Sequence, residues 1–349
     1  SVVILGEAIQ NAGGRVELVM FPDRERDGYG LNANALTFLR GKSPALLITL
    51  DLGISNVKEI AEANKMGFEV IVIDHHKVLD QLPPASIVVD PQQEERDTFK
   101  NLCNAGLTFK LAEELLGDAM SDGVRRSLLE LAALATISDM VAQVGDNKKF
   151  IEAGLRSLPD TFRPGLAALR DAVGRGTAAT PAGVGKIISA LNAAESIDFA
   201  NESYELLTAA EPNRCRDLAE TLLARSRQKQ QQVQTIAQEV ERRVSAKPQE
   251  PIIFEGDPAW KLVLAGSAAS ALAPKYGKPV FIFKRGDTES VGSVRSLQEG
   301  QNSVEAMKTC ADLLITYGGH PKASGFRLKN ENLEAFKQCL TDYFKKNHS

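Results

Sequence analysis

Asp74-His75-His76 follows the apolar run Val70 to Ile73 and holds two of the four histidines in 349 residues. A third, His320, comes after Gly318-Gly319, in what reads as a polar turn. Carboxylate beside imidazole at the carboxyl end of a buried strand is where an open α/β sheet holds a metal or a phosphate. Read alone, the triplet can equally cap the next helix. Two further carboxylates bear on that choice. Asp51 closes Leu46 to Leu50 and precedes Leu52-Gly53, where glycine permits close backbone approach. Asp139 ends Leu128 to Ile137, and a charge against an apolar helix needs a partner or a metal. Taken singly, Asp51 is a turn or N-cap aspartate and Asp139 a helix-terminal one, and Asp90 before Pro91 reads as a strand-ending turn residue. Together they suit Mn²⁺ or Mg²⁺ better than zinc, and two such ions sharing a carboxylate form a clamp for in-line phosphodiester hydrolysis.

The elements that must position these residues are legible as a period. Val16 to Met20, Leu46 to Leu50, Val70 to Ile73 and Ile87 to Val89 predict strands; Val57 to Met66, Leu107 to Leu116 and Val124 to Ile137 predict helices. That alternation describes an α/β domain with a parallel sheet, and right-handed crossovers set neighbouring strand ends side by side. From about Pro212 to Ala246 a narrow apolar stripe, Leu218, Leu222, Val233, Ile236, Val240 and Val244, runs through Gln, Arg and Glu. It predicts a long helix, read as a connector rather than a coiled-coil arm because strand signals resume after Pro251. Ile252 to Phe254 and Val280 to Phe283, with the small-residue helix Ala265 to Leu272 between them, predict a second α/β unit. The expected domains are residues 1–211, a connecting helix over 212–247, and a smaller domain over 248–349, with the active-site cleft between the two domains. No internal repeat is evident, and the one biased tract is Gln228 to Gln234.

Length favours two domains with sizeable cores. A net charge of −4 does not advertise a polyanion-binding surface, so such contact must come from local clusters such as Lys275, Lys278, Lys284, Arg285 and Arg295. Cys103, Cys215, Cys310 and Cys339 are scattered, without a zinc-type pair or a dense disulfide framework, which fits a reducing cytoplasm. No apolar run approaches the length of a membrane span, and no signal-peptide pattern opens the chain.

Asp51-Leu52-Gly53, Asp74-His75-His76, Ser138-Asp139-Met140 and Gly318-Gly319-His320-Pro321 resemble the DHH phosphoesterase superfamily with its C-terminal DHHA1 domain. Pro22-Asp23-Arg24, Gly28-Tyr29-Gly30-Leu31, Leu102-Cys103-Asn104-Ala105-Gly106, Leu191-Asn192-Ala193-Ala194 and Gly292-Ser293-Val294-Arg295-Ser296 are similar to its RecJ branch, 5′ to 3′ exonucleases specific for single-stranded DNA. The strings run in family order from the start to about residue 328. The resemblance implies that Asp51 bridges two Mn²⁺ or Mg²⁺ ions, that His75 and Asp139 complete one site, and that His76 reaches the scissile phosphate while Asp74 orients the histidines. It further implies a 5′-phosphate pocket of Arg24, Ser293 and Arg295, guanidinium forks and a hydroxyl suiting a terminal dianion. Tyr29 would offer a face to the terminal base, and the Gly318-Gly319-His320 turn would bring backbone N–H groups and an imidazole to substrate. Singly, the arginines can be surface ion-pair residues, Tyr29 a packing residue and the glycines a tight turn. A monomer is expected, with single-stranded nucleic acid as substrate and a single-strand-binding protein or helicase as partner in repair and recombination.

The pattern also departs from the family. Its first motif, an aspartate pair after an N-terminal strand, would precede residue 1, and the chain reads as lacking its beginning. It also reads as ending without the family's OB-fold. Ala190, Glu195 and Ser196 stand where the family carries arginine, glycine and arginine, which weakens phosphate tracking. Two other functions remain open on these grounds: a phosphodiesterase of short oligonucleotides or cyclic dinucleotides, and an inactive scaffold.

Overall fold

The structure, a computed structural model, describes residues 1–23, 30–78, 81–93, 99–245, 250–298 and 300–346. Its contacts divide the chain into two units, Ser1–Ser226 and Arg227–Ser349. The first unit opens with α1 (Val2–Asn11) and α2 (Ala33–Leu39), then alternates β1 (Ala45–Leu50), α3 (Val57–Lys65), β2 (Phe68–Ile73) and β3 (Ile87–Val89). The strands form a parallel sheet in the order β1-β2-β3, with Leu50, Ile73 and Val89 in one row. β2 is the central strand, and its side chains serve both faces, as the period of two requires. Val70 and Val72 pack with Leu31, with Ala35 and Leu39 of α2 and with Ile60 and Ala63 of α3. Ile71 and Ile73 pack with α1 and with α4 (Asn104–Leu116) and α5 (Asp122–Ser138) on the other side. Full burial of side chains such as these stabilises by roughly 1.5–3 kcal/mol each.

Five helices follow: α6 (Gly145–Ser157), α7 (Pro164–Val173), α8 (Arg175–Ala178), α9 (Pro181–Leu191) and, after the β4 (Ser196–Ile197) and β5 (Ala200–Asn201) hairpin, α10 (Glu202–Thr208). They build a separate core with Cys215, Leu218 and Leu222, from the first turns of the long helix α11 (Pro212–Val244). Further along α11, Ile236 and Val240 belong to a core of the second unit. The predicted strand Val16 to Met20 has no regular structure; its β-branched residues fit a pleated, half-buried surface, but no strand pairs with it among the described residues.

In the second unit β6 (Ile253–Asp257), α12 (Leu262–Tyr276), β7 (Val280–Arg285), β8 (Glu289–Arg295), α13 (Ser303–Lys308), β9 (Thr316–His320), β10 (Ala323–Lys329) and α14 (Leu333–Lys346) follow in order. The sheet runs β6-β7-β8-β10-β9, parallel only between β6 and β7. α12 covers the face carrying Val280 and Ile282. The opposite face is aromatic, with Phe254, Phe281 and Phe326 in mutual contact and packed against Phe336 of α14. Cys310 and Cys339 are joined by a disulfide between the end of α13 and α14, their Cα atoms 6.1 Å apart. This corrects the reading of four scattered thiols: pairing follows proximity in the fold, which a separation of 29 residues does not reveal. No helix among the described residues is long and apolar enough to cross a membrane.

Candidate metal centre and anion site

The register of the first sheet sets Asp51, Asp74 and Asp90, each the residue after its strand, along one edge. The carboxyl ends of parallel strands are where open sheets bind ligands. Asp51 adopts a left-handed backbone, φ 64°, a conformation that aspartate tolerates better than most residues. Its N–H is held by the Ile73 carbonyl at 3.0 Å. Asn104, with its amide oriented to satisfy both ends, accepts from the same N–H at 2.8 Å and donates to Ile73 O at 2.9 Å. Gly53, at φ 117°, is required next: a Cβ there would fall 2.5 Å from Thr49 Oγ1.

Asp74, 1% exposed, organises the second loop. Its Oδ1 accepts from His75 N (2.8 Å), His76 N (3.3 Å) and His76 Nδ1 (2.7 Å), and its Oδ2 accepts from Ile54 N (3.1 Å). One carboxylate therefore ties the Asp51 loop to the histidine loop and fixes the His76 ring through Nδ1. His75 is 3% exposed, and its Nε2 lies 3.2 Å from Asp51 Oδ1 and 3.5 Å from Asp139 Oδ2. Ligand atoms of Asp51, His75 and His76 all fall within 4.8 Å of one another. Asp139 caps α5, and the adjacent Ser138 Oγ accepts from Asn192 Nδ2 at 2.9 Å, drawing the Leu191-Asn192 string to this edge.

The charges at this edge call for a cation. Burial pushes the Asp139 carboxyl above the usual range and the Asp51 charge adds to it, outweighing the histidines. Burial opposes the charge on His75, yet Asp51, Asp139 and Asp74 together hold its pKa above the ordinary value. A buried imidazole and a neighbouring carboxyl that both favour an added proton are short of positive charge, which a divalent cation supplies. Oxygen and imidazole donors together suit Mn²⁺ or Mg²⁺. Asp51, His75 and Asp139 could hold such an ion.

In the second unit, register does the gathering. Val280, Arg295, Ala323 and His320 form one cross-strand row, and Ile282, Ser293, Gly325 and Gly318 another, on the face that α12 covers. Arg295 donates from Nε to Ser270 Oγ (3.1 Å) and from Nη1 to Val294 O (2.8 Å). It has no carboxylate partner among the described residues, and burial lowers its pKa. A half-buried guanidinium without a carboxylate partner could hold an anion. The Gly318-Gly319-His320 turn is corrected: these residues form the end of β9, and the turn is Pro321-Lys322. Gly319, at φ 122°, is needed because a Cβ would lie 2.7 Å from Ala323 O. Behind the corner, Ser296 Oγ and Ser303 Oγ each donate to Pro321 O at 2.9 Å.

Family models match residues 1–136, the N-terminal domain of the DHH family, and residues 249–346, the DHHA1 domain. The single-stranded-DNA-specific exonuclease RecJ of Bacillus subtilis is 30% identical over 348 residues, which cover 98% of this chain and 43% of that protein. The chain belongs to the DHH/DHHA1 family and is RecJ-like. A crystal structure of exonuclease RecJ bound to manganese superposes with a TM-score of 0.76 at 28% identity, covering 99% of this chain and 86% of that one. RecJ of Thermus thermophilus in complex with Mn²⁺ gives a TM-score of 0.81 at 27% identity, over 99% of this chain and 50% of that one. The RecJ-like chain thus spans less than half of the Bacillus relative's length.

Of the residues predicted from the sequence, Asp51, Asp74, His75, His76 and Asp139 come together in the first unit, and Ser293, Arg295, Gly318 and His320 lie on one sheet face in the second. Gly319 is in the same strand, opposite Ser324. Arg24 and Tyr29 lie outside the described residues. Gly30 and Leu31, which end the tyrosine-bearing string, are described: Asn56, five residues beyond Asp51, accepts from Leu31 N (3.1 Å) and donates to Leu31 O (3.0 Å). Ala190 is fully buried among helices, while Glu195 is exposed. Sequence reasoning does not single out Asn56, Asn104, Asn192 or Ser270 individually as site residues. Asn104 and Asn192 lie inside strings that resemble the family, and Asn56 and Ser270 carry no signal of their own.

Proposed function

We propose that the RecJ-like chain is the core of a metal-dependent exonuclease that releases mononucleotides from the 5′-phosphorylated end of single-stranded DNA. The observation that carries this reading is the strand-edge cluster of Asp51, His75 and Asp139, with His76 held by Asp74. Asp51 would bridge two ions, with His75 and Asp139 completing one site. When bound, such ions neutralise phosphate charge and lower the pKa of water. His76, its ring held through Nδ1 by Asp74, would meet a phosphate oxygen through Nε2. Arg295 and Ser293 would take the terminal phosphate, whose second charge an internal phosphodiester lacks. Residues 1–211 form the catalytic domain in this reading, 212–247 the connecting helix, and 248–349 the substrate-binding domain. RecJ relatives, described as single-strand-specific and bound to Mn²⁺ or Mg²⁺, support the substrate and the ions.

The test is mononucleotide release from 5′-phosphorylated single-stranded DNA in Mn²⁺ by the protein carrying this chain, wild type against Asp51→Asn. The expected result is release from the 5′ end by the wild type and none by the variant, because asparagine keeps the left-handed backbone but not the bridging charge. Equal rates in both would overturn the assignment of Asp51. Release confined to dinucleotides would replace long DNA by a short-oligonucleotide substrate.

A further inference from the structure

We infer that α12 completes the anion site: Gly266 sets the size of its opening, and Ser270 is the positioning residue for Arg295. This rests on the reading of Arg295 and Ser293 as a terminal-phosphate pocket. A guanidinium has five N–H donors in a rigid plane, so two bonds to the protein decide where the others point. Ser270 Oγ accepts from Arg295 Nε at 3.1 Å while donating its own proton to Gly266 O at 2.9 Å. The relay Arg295 to Ser270 to Gly266 is therefore consistent in proton direction and anchored in the helix backbone. Val294 O takes Nη1. Nη2 has no partner among the described residues and faces Gly266: a Cβ there would stand 3.1 Å from Nη2 and 3.5 Å from Ser293 Oγ. A side chain at 266 would thus fill the gap between the helix and the two donors that a phosphate oxygen must reach. Glycine in mid-helix is unfavourable for the helix itself, so the open space is what its presence supplies.

The experiment is fluorescence anisotropy of a labelled single-stranded oligonucleotide in EDTA, carrying either a 5′-phosphate or a 5′-hydroxyl, with the protein that carries this chain. The readout is the ratio of the two dissociation constants. Wild type is expected to favour the phosphate by roughly tenfold or more, the scale of one charge-assisted hydrogen bond or two. Gly266→Ala should bring the ratio close to one without lowering the melting temperature, since alanine favours the helix. Ser270→Ala should reduce the ratio and Ser270→Thr, which keeps the hydroxyl, should restore it. If the wild type itself does not discriminate, the terminal-phosphate pocket is wrong. If it discriminates, and Arg295→Ala abolishes this while both α12 substitutions leave the ratio unchanged, the pocket stands and the role of α12 is refuted.

Discussion

Replacing Asp74 by asparagine tests the claim that one buried carboxylate holds both loops of the metal centre. Asparagine can keep its oxygen at the Oδ1 position, where His75 N, His76 N and His76 Nδ1 converge, but its amide nitrogen then opposes the Ile54 N–H. One buried donor loses its acceptor, a loss of about 1–3 kcal/mol. The three remaining bonds fall from charge-assisted to neutral, which roughly halves each. The expected destabilisation of the first unit is about 3–7 kcal/mol, and Asp74→Ala, which orphans all four donors, should exceed it. Burial pushes the Asp74 carboxyl up, but its bonds to His76, Ile54 and His75 hold it net below the ordinary value. Its contribution is therefore complete above the unfolded value of about 4 and is lost as pH falls through the lower folded value, so wild type and Asp74→Asn converge in acid. The assay is urea unfolding followed by circular dichroism in EDTA at pH 7 and at stepped lower pH. Equal midpoints for wild type and asparagine variant at pH 7, or an alanine variant more stable than the asparagine one, would refute the reasoning.

Two further outcomes concern the second unit, where Trp260, the chain's one tryptophan, reports unfolding by its emission. Phe336→Ala removes a fully buried ring that contacts Phe254, Phe281 and Phe326, and should lower stability by about 3–5 kcal/mol, with an unchanged midpoint excluding this aromatic core. Cys339→Ser opens a disulfide spanning 29 residues and should lower stability by roughly 3–4 kcal/mol on the chain-entropy estimate, matched by wild type in reductant; a wild type indifferent to reductant would mean the thiols are unpaired in solution.

What could be read from the sequence follows from how each element is stabilised. β1, β2 and β3 were legible because buried parallel strands are runs of Leu, Ile and Val, and Asp51 and Asp74 were found because each closes such a run. β8, β9 and β10 were not, because Gly292, Gly318, Gly319 and Gly325 interrupt their hydropathy just where the sheet needs close approach. Val16 to Met20 has strand composition without a strand to pair with among the described residues, and composition cannot report the neighbour. The asparagines escape notice individually for a related reason: Asn104 acts on Asp51 and Ile73, and Asn192 on Ser138, only once the fold has closed the sequence gap.

α11 is a single helix whose early turns belong to one core and whose late turns belong to another. Between Ser226 and Ile236 none of its side chains is buried, so those turns persist on backbone bonding and on the intrinsic helicity of Arg, Gln and Lys. Most helices fray from their ends. Here the ends are anchored and the middle is the part with least tertiary support, so amide hydrogen exchange and limited proteolysis should find their fastest sites near the glutamine tract, in the centre of the longest helix of the described residues.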